Sequence, residues 1–124
     1  LGIAALQATA LRNSQSSYQR SQAVAQSYTI LDRMRANRDV ALIDLYDIPK
    51  TCVAPATGAT QVAKDLHDWI TGMQDKYALG PGACGTISCA PAGDVTQCDI
   101  TVEWDDSRGT QGSSNQTLTT STAL

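Results

Sequence analysis

Residues 1–38 carry the hydrophobic pattern of one long helix. The stretch has no proline, and its only glycine is Gly2, which favours uninterrupted helical structure. An apolar start gives way to a mostly polar run from Arg12 to Gln22, and an amphipathic pattern follows it. Its apolar positions recur at spacings of four and three, and they are Val24, Tyr28, Leu31 and Met34. We predict a helix from near residue 2 to near residue 38, packed through this stripe.

The polar middle of this helix predicts a stalk between an apolar anchor and a globular head. A helix that is polar all round is not stable alone, so we divide the chain into a stalk, residues 1–23, and a head, residues 24–124. The other interpretation is a helix that frays in its first turns. The opening apolar run is shorter than the roughly 20 residues that span a bilayer. We therefore expect the natural protein to continue upstream.

A second helix is predicted from about Gln61 to Leu79, with Thr60 as its N-cap. Its apolar stripe consists of Val62, Leu66, Trp69, Ile70, Met73 and Tyr77. Before it, residues 39–46 could form a short helix or an extended segment, and residues 47–59 are predicted to be a loop. The two tryptophans are expected to fill the core, because the chain has no Phe.

After Ala83 the apolar period changes from helical spacing to two, which indicates strands. We predict strands over 85–89, 98–104 and 116–124, with a turn at 90–93. The central strand places Ile100, Val102 and Trp104 on one face. The predicted fold class is α+β, with a long N-terminal helix packed on a small antiparallel sheet.

Charge and cysteine content narrow the functional classes. The net charge is −3 and no basic stripe exists, which argues against a nucleic-acid partner. Four cysteines without a Cys-x-x-Cys pair, beside one histidine, favour disulfides over zinc and therefore an oxidising compartment. Three pairings are open. We favour Cys89 with Cys98, because Pro91 and Gly93 form a turn between them, and Cys52 with Cys84.

The candidate catalytic and metal-binding groups do not assemble into a site. His67 lies two residues from Asp65 and one from Asp68, so its ring points away from either carboxylate on a helix, and a solvated face is expected. Asp105 and Asp106 could bind calcium in their loop, but the ligand alternation of known calcium loops is missing, and a solvated hairpin end is favoured. We expect no enzyme activity, no cofactor and no metal.

Three segments resemble PilV-type minor pilins of type IV pili. The opening LGIAALQATALRNSQ is similar to the stretch after that family's hydrophobic N-terminal segment. Residues 31–38, LDRMRANR, resemble the end of its long helix, and residues 102–109, VEWDDSRG, resemble a strand and loop near its C-terminus. The family's Gly-Phe-Thr-Leu-Ile-Glu type of start does not occur here, so we expect a truncated soluble part.

The resemblance implies a pilin fold and a structural subunit that helps to initiate pilus assembly. It implies an inner-membrane anchor formed by an upstream hydrophobic helix, a periplasmic head and later transfer to the pilus. Its partners would be other minor pilins, in a tip or priming complex, and the assembly machinery. Candidate interface residues are Ser17, Ser21, Arg33, Arg35, Arg38, Asp105, Asp106 and Arg108. The alternatives are a pseudopilin of type II secretion and a free secreted ligand-binding module.

Overall fold

The computed structural model describes residues 2–107 and 114–124, and it shows the predicted α+β architecture. Helix α1 spans Gly2–Ala36, a length of 35 residues, which agrees closely with the prediction. A short helix α2, Arg38–Leu42, follows at once, so the helical interpretation of residues 39–46 is correct for their first part. Asn37 joins the two helices, and its backbone N–H still donates to the carbonyls of Arg33 and Met34.

The buried face of α1 differs from the predicted stripe. Leu31 and Met34 are buried as predicted, whereas Val24 and Tyr28 are 39% and 49% exposed, so that part of the prediction is wrong. Small side chains let the helix approach α3 closely, and there the Trp69 indole N–H donates to the Gln26 carbonyl at 2.9 Å. The buried positions of α1 are Ala23, Ser27, Ile30, Leu31 and Met34.

Helix α3 spans Gln61–Met73 and begins as predicted. The Thr60 side chain accepts the Ala63 backbone N–H at 3.1 Å, which is an N-cap. The helix ends well before Leu79, because the Asp75 carboxylate accepts the Tyr77 backbone N–H at 2.8 Å, and this local bond favours a turn. Tyr77 is 71% exposed, so its predicted place on the buried stripe is wrong.

Four antiparallel strands form one sheet in the order β1-β2-β3-β4. Their bounds are β1 Ile48–Thr51, β2 Cys84–Ala92, β3 Val95–Trp104 and β4 Gln116–Ala123. The prediction missed β1 and assigned its residues to a loop. Pro49 weakens the strand signal there, and it is tolerated because β1 lies at the edge of the sheet.

Two disulfides and a tight hairpin hold the sheet together. Cys89 and Cys98 lie directly opposite each other on β2 and β3 and are bonded, while Cys52 is bonded to Cys84. Both favoured pairings are confirmed. The strands extend further than predicted, to Ala92 and Val95. Gly93 therefore opens a two-residue loop at φ 66°, which glycine adopts at little cost.

The core lies between the sheet, α3 and the second half of α1. Ile100, Val102 and Trp104 are buried on one face of β3 as predicted. Both tryptophans are core residues, at 1% and 2% exposure. The Trp69 ring contacts β2 at Gly85, where an added Cβ would come within 2.5 Å of its Cη2 atom. A glycine is therefore required for this contact.

Candidate interaction surface

Helix α1 carries a second stripe, about 110° around the helix from its buried face. Its apolar members are strongly exposed, with Ile3 at 74%, Leu6 at 72% and Tyr28 at 49%. Small residues lie between them, and all positions follow spacings of three, four or seven, which place them on one helix face. We call this set the outer stripe: Ile3, Leu6, Ala10, Ser17, Ser21, Val24 and Tyr28. Two of the candidate interface residues, Ser17 and Ser21, are exposed within it.

Contacts between α1 and the head include Ser16, which lies inside the segment predicted to be a stalk. Its hydroxyl donates to the Asp106 carboxylate at 3.0 Å, and the Tyr18 hydroxyl donates to the Tyr77 carbonyl. One turn further, the Arg20 guanidinium lies 5.9 Å from the centre of the Trp104 ring. Through these three residues, one side of the polar run is in contact with its own domain. Residues 2–15 are all exposed.

The arginines at the end of α1 contact other parts of the same chain. Arg33 pairs with Asp65 at 3.5 Å and with Asp68 at 3.4 Å, which ties α1 to α3. Arg35 donates to the Thr122 hydroxyl and the Ala123 carbonyl, each at 3.3 Å, which ties α1 to β4. Arg38 is exposed. Arg35 and Arg38 therefore remain accessible to a partner, whereas Arg33 is half-buried.

The two aspartates of the loop after β3 differ in exposure. Asp105 is exposed and accepts the Ser107 backbone N–H at 2.8 Å. Asp106 is 1% exposed, so the expectation of a solvated hairpin end is wrong for this residue. The bond from Ser16 turns Asp106 inward, against α1. The third candidate of this region, Arg108, lies outside the described residues.

A buried polar cluster joins α1, α3 and the segment before β1, and the sequence analysis did not identify it. Asp65 is 2% exposed and accepts the Tyr46 hydroxyl at 2.6 Å and the Gln61 amide at 2.7 Å. Burial raises the pKa of Tyr46 to about 12, and its bond to Asp65 acts in the same direction. Both Asp65 oxygens have partners, so the cluster is structural. The four-residue spacing of Gln61 and Asp65 was its only sequence signal.

His67 is not simply solvated, which corrects the expectation for this residue. Its Nδ1 lies 2.7 Å from the Pro55 carbonyl, and the nitrogen must donate because a carbonyl can only accept. The contact holds α3 to the loop that carries Cys52. Among residues 2–107 and 114–124, no group of three or more His, Cys, Asp or Glu side chains could hold a metal ion.

A cleft of about 470 Å³ lies between the start of α3 and the segment around α2. Its lining contains no charged side chain and consists of Asn37, Val40, Leu45, Thr60, Gln61 and Val62. The volume falls within the range of small-molecule pockets. The lining supplies apolar and uncharged polar contacts for a small molecule, but no side chain that could act as a general acid or base.

No protein-family model, curated protein or solved structure matches this chain significantly. The architecture itself is pilin-like: a long N-terminal helix followed by a four-stranded antiparallel sheet with two disulfides. The disulfides indicate a domain that functions outside the cytoplasm. In the described part of the chain, none of the helices has the length and apolar content to cross a membrane.

Proposed function

We propose that this protein is a structural minor pilin of the PilV type, without catalytic activity. In this proposal its head lies in the periplasm, held by an inner-membrane anchor upstream, before the subunit enters the pilus. It joins other minor pilins in a tip or priming complex that starts assembly. The pilin-like architecture, the extracytoplasmic disulfides and the resemblance in residues 1–15, 31–38 and 102–109 support this function.

The observation that carries the proposal is the outer stripe of α1. Ile3 and Leu6 project beyond the head at more than 70% exposure, and burying such a side chain contributes roughly 1.5–3 kcal/mol. The serines and alanine in the middle of the stripe allow another helix to approach closely. A helix with one face on its own head and a second face open, about 110° around the helix, suits a subunit that packs beside neighbouring helices.

A gene deletion tests the proposal at the level of the cell. The strain without this gene should carry few surface pili when they are counted by electron microscopy, and the full-length gene should restore them. Normal piliation in the deletion strain would contradict a role in priming.

Two adjacent substitutions then test the outer stripe. Leu6→Glu places a carboxylate on the stripe, whereas Gln7→Glu places the same group one residue away, about 100° around the helix. Both positions are exposed, so neither change should alter the stability of the head. The Leu6 variant should fail to restore pili and the Gln7 variant should restore them. Equal behaviour of the two would refute the stripe as the contact face.

The same strains distinguish this function from the two alternatives, a pseudopilin of type II secretion and a free secreted ligand-binding module. A pseudopilin has this architecture in another machine, and its deletion would stop protein secretion while pili remain normal. The cleft near α2 is the observation that favours a ligand-binding module. In that case Val62→Trp, which fills the cleft, would abolish function while Leu6→Glu would not.

A further inference from the structure

The two edges of the sheet differ in how they are protected. At the β1 side, Pro49 and Lys50 lie in the edge strand, and the Asp47 carboxylate accepts the Cys89 backbone N–H at 3.1 Å. Pro91, further along β2, has no N–H to offer. Charges, prolines and side-chain caps of this kind prevent edge strands from pairing with other chains. The last nine residues, Gln116 to Leu124, contain neither a proline nor a charged side chain.

The hydrogen-bond pattern shows which groups of β4 face outward. The Leu124 N–H donates to the Thr96 carbonyl at 2.8 Å, and residues of an antiparallel ladder alternate between bonded and non-bonded positions. The even-numbered residues of β4 therefore bond to β3, and the odd-numbered ones direct N–H and C=O away from it. The contact of Arg35 with the Ala123 carbonyl agrees with this direction.

Three consecutive outward positions remain available on this edge. Arg35 occupies the Ala123 carbonyl, which leaves the backbone groups of Thr117, Thr119 and Ser121. Their side chains are all exposed, and their pairing with β3 is regular along the whole strand. Among the described residues, no strand lies beyond β4, and no backbone group bonds to this row.

We propose that the outer edge of β4 binds β4 of a second copy of this chain, in antiparallel orientation. The two-fold axis passes beside Thr119, which pairs with Thr119 of the other copy, while Thr117 pairs with Ser121 of the other copy. In this register every outward N–H and C=O of the row finds a partner. A register shifted to use Ala123 would compete with Arg35 for its carbonyl.

The composition of the strand favours a copy of itself as the occupant. An antiparallel pair about a two-fold axis places identical patches together, so a charge at position 119 would face the same charge on the other copy. The row has none. It opposes threonine to threonine and threonine to serine, which are favourable cross-strand neighbours. This dimer does not depend on the function proposed above, because it uses a different face from the outer stripe.

The oligomeric state of the chain tests the proposal. Sedimentation equilibrium should show a reversible monomer–dimer equilibrium. Thr119→Pro removes one outward N–H from each copy while leaving the ladder to β3 intact, and it should weaken the dimer by at least about tenfold. Thr119→Val keeps the N–H and should leave the dimer unchanged. Circular dichroism of the proline variant checks that the fold persists.

One further variant separates the β4 edge from the exposed helix. Leu6→Ser weakens an association through the outer stripe and should not change the dimer. A monomer at every concentration of the unmodified chain would overturn the proposal. So would loss of the dimer with Leu6→Ser, or a dimer that withstands Thr119→Pro.

Cysteine cross-linking tests the register itself. Paired residues at the two-fold lie about 5.5 Å apart at Cα, within reach of a disulfide. Thr119→Cys should therefore form a covalent dimer with itself under mild oxidation. Thr117→Cys should not do so alone, but it should cross-link when mixed with Ser121→Cys. Self-linking of Thr117→Cys with none from Thr119→Cys would refute this pairing.

Discussion

The two halves of helix α1 follow different physical rules although they belong to one continuous element. In the second half, Ile30, Leu31 and Met34 are completely buried, and packing determines which side chains are tolerated. In the first half, residues 2–15 are all exposed, and the head contributes little to holding the helix in shape. A short helix without tertiary contacts is only marginally stable in water. The first half therefore depends on its continuity with the packed second half and on the helix propensity of its residues.

Helix α1 thus has one buried apolar face and one exposed outer stripe, while Leu11 and Tyr18 are exposed outside both. The inner face includes the small Ala23 and Ser27, where the helix approaches the head closely. The outer stripe carries Ile3, Leu6 and Tyr28, which the head does not cover. A substitution on the inner face should lower the free energy of unfolding. A substitution on the outer stripe should instead weaken association with another chain.

The largest contrast is expected between Leu31→Asp and Leu6→Asp. Leu31 is fully buried, so an aspartate there must bury an unpaired charge or force the helix off the head, at a cost of roughly 4 kcal/mol or more. Leu6→Asp should change the free energy of unfolding by less than about 0.5 kcal/mol. Urea titration measures both. Similar losses in the two variants would contradict the division of the helix.

The disulfides should stabilise the head that the second half of α1 packs against. Cys52–Cys84 closes a loop with a sequence separation of 32, and Cys89–Cys98 one of only 9. Replacing the first pair by serines should cost about 3–4 kcal/mol on the chain-entropy model, and replacing the second roughly 1 kcal/mol less. Thermal unfolding of the two double variants checks the order. A reversed order would show that local packing outweighs loop length.

Gly85 tests the packing beneath the second half of α1. An alanine Cβ would lie 2.5 Å from a Trp69 ring carbon, so the indole must move, and its bond to the Gln26 carbonyl of α1 would weaken. We expect a loss of about 1–3 kcal/mol and a change in tryptophan fluorescence. Gly82→Ala is the matched control, since no atom lies within 4 Å of the added Cβ. Equal stability of the two variants would contradict the close contact.

Much of this fold could be predicted because the apolar period is clear. The alternation at Ile100, Val102 and Trp104 identified the central strand, and the absence of proline identified α1. The buried face of α1 could not be predicted correctly, because Ala23 and Ser27 contribute no hydrophobic signal and tertiary contact with Trp69 selects them. The amphipathic residues Val24 and Tyr28 belong to the other face.

The candidate interface was predicted less well, for reasons that also depend on tertiary structure. Charged residues near a helix end are usually solvated, but Arg33 and Arg35 find partners far away in the sequence. Asp106 is buried because α1 passes over its loop, and no local pattern reveals that. Strand β1 is only four residues long and contains Pro49, so its pairing with β2 is not visible as a period.

Tyr46 should make stability depend on alkaline pH. Its pKa is raised to about 12, so the folded state holds the phenolic proton more tightly than the unfolded chain, where the pKa is near 10. The stabilisation is complete below about pH 10 and is lost as the pH rises towards 12. Tyr46→Phe should cost roughly 1.5–3 kcal/mol at pH 7, because Asp65 loses a hydrogen bond. The difference between the two proteins should shrink above pH 10.

The smallest predicted effect locates the boundary between the two halves of α1. Ser16 lies near this boundary, and its hydroxyl donates to the buried Asp106 carboxylate. Ser16→Ala should cost about 1 kcal/mol, whereas Ser14→Ala, at an exposed position two residues earlier, should cost nothing measurable. Amide exchange locates the boundary independently, because the amides of helical turns that pack on the head should exchange more slowly than those of fraying turns. We expect amide protection to be low before residue 16 and high after it. Low protection as far as residue 23 would show that the contacts of Ser16, Tyr18 and Arg20 do not hold the helix in solution.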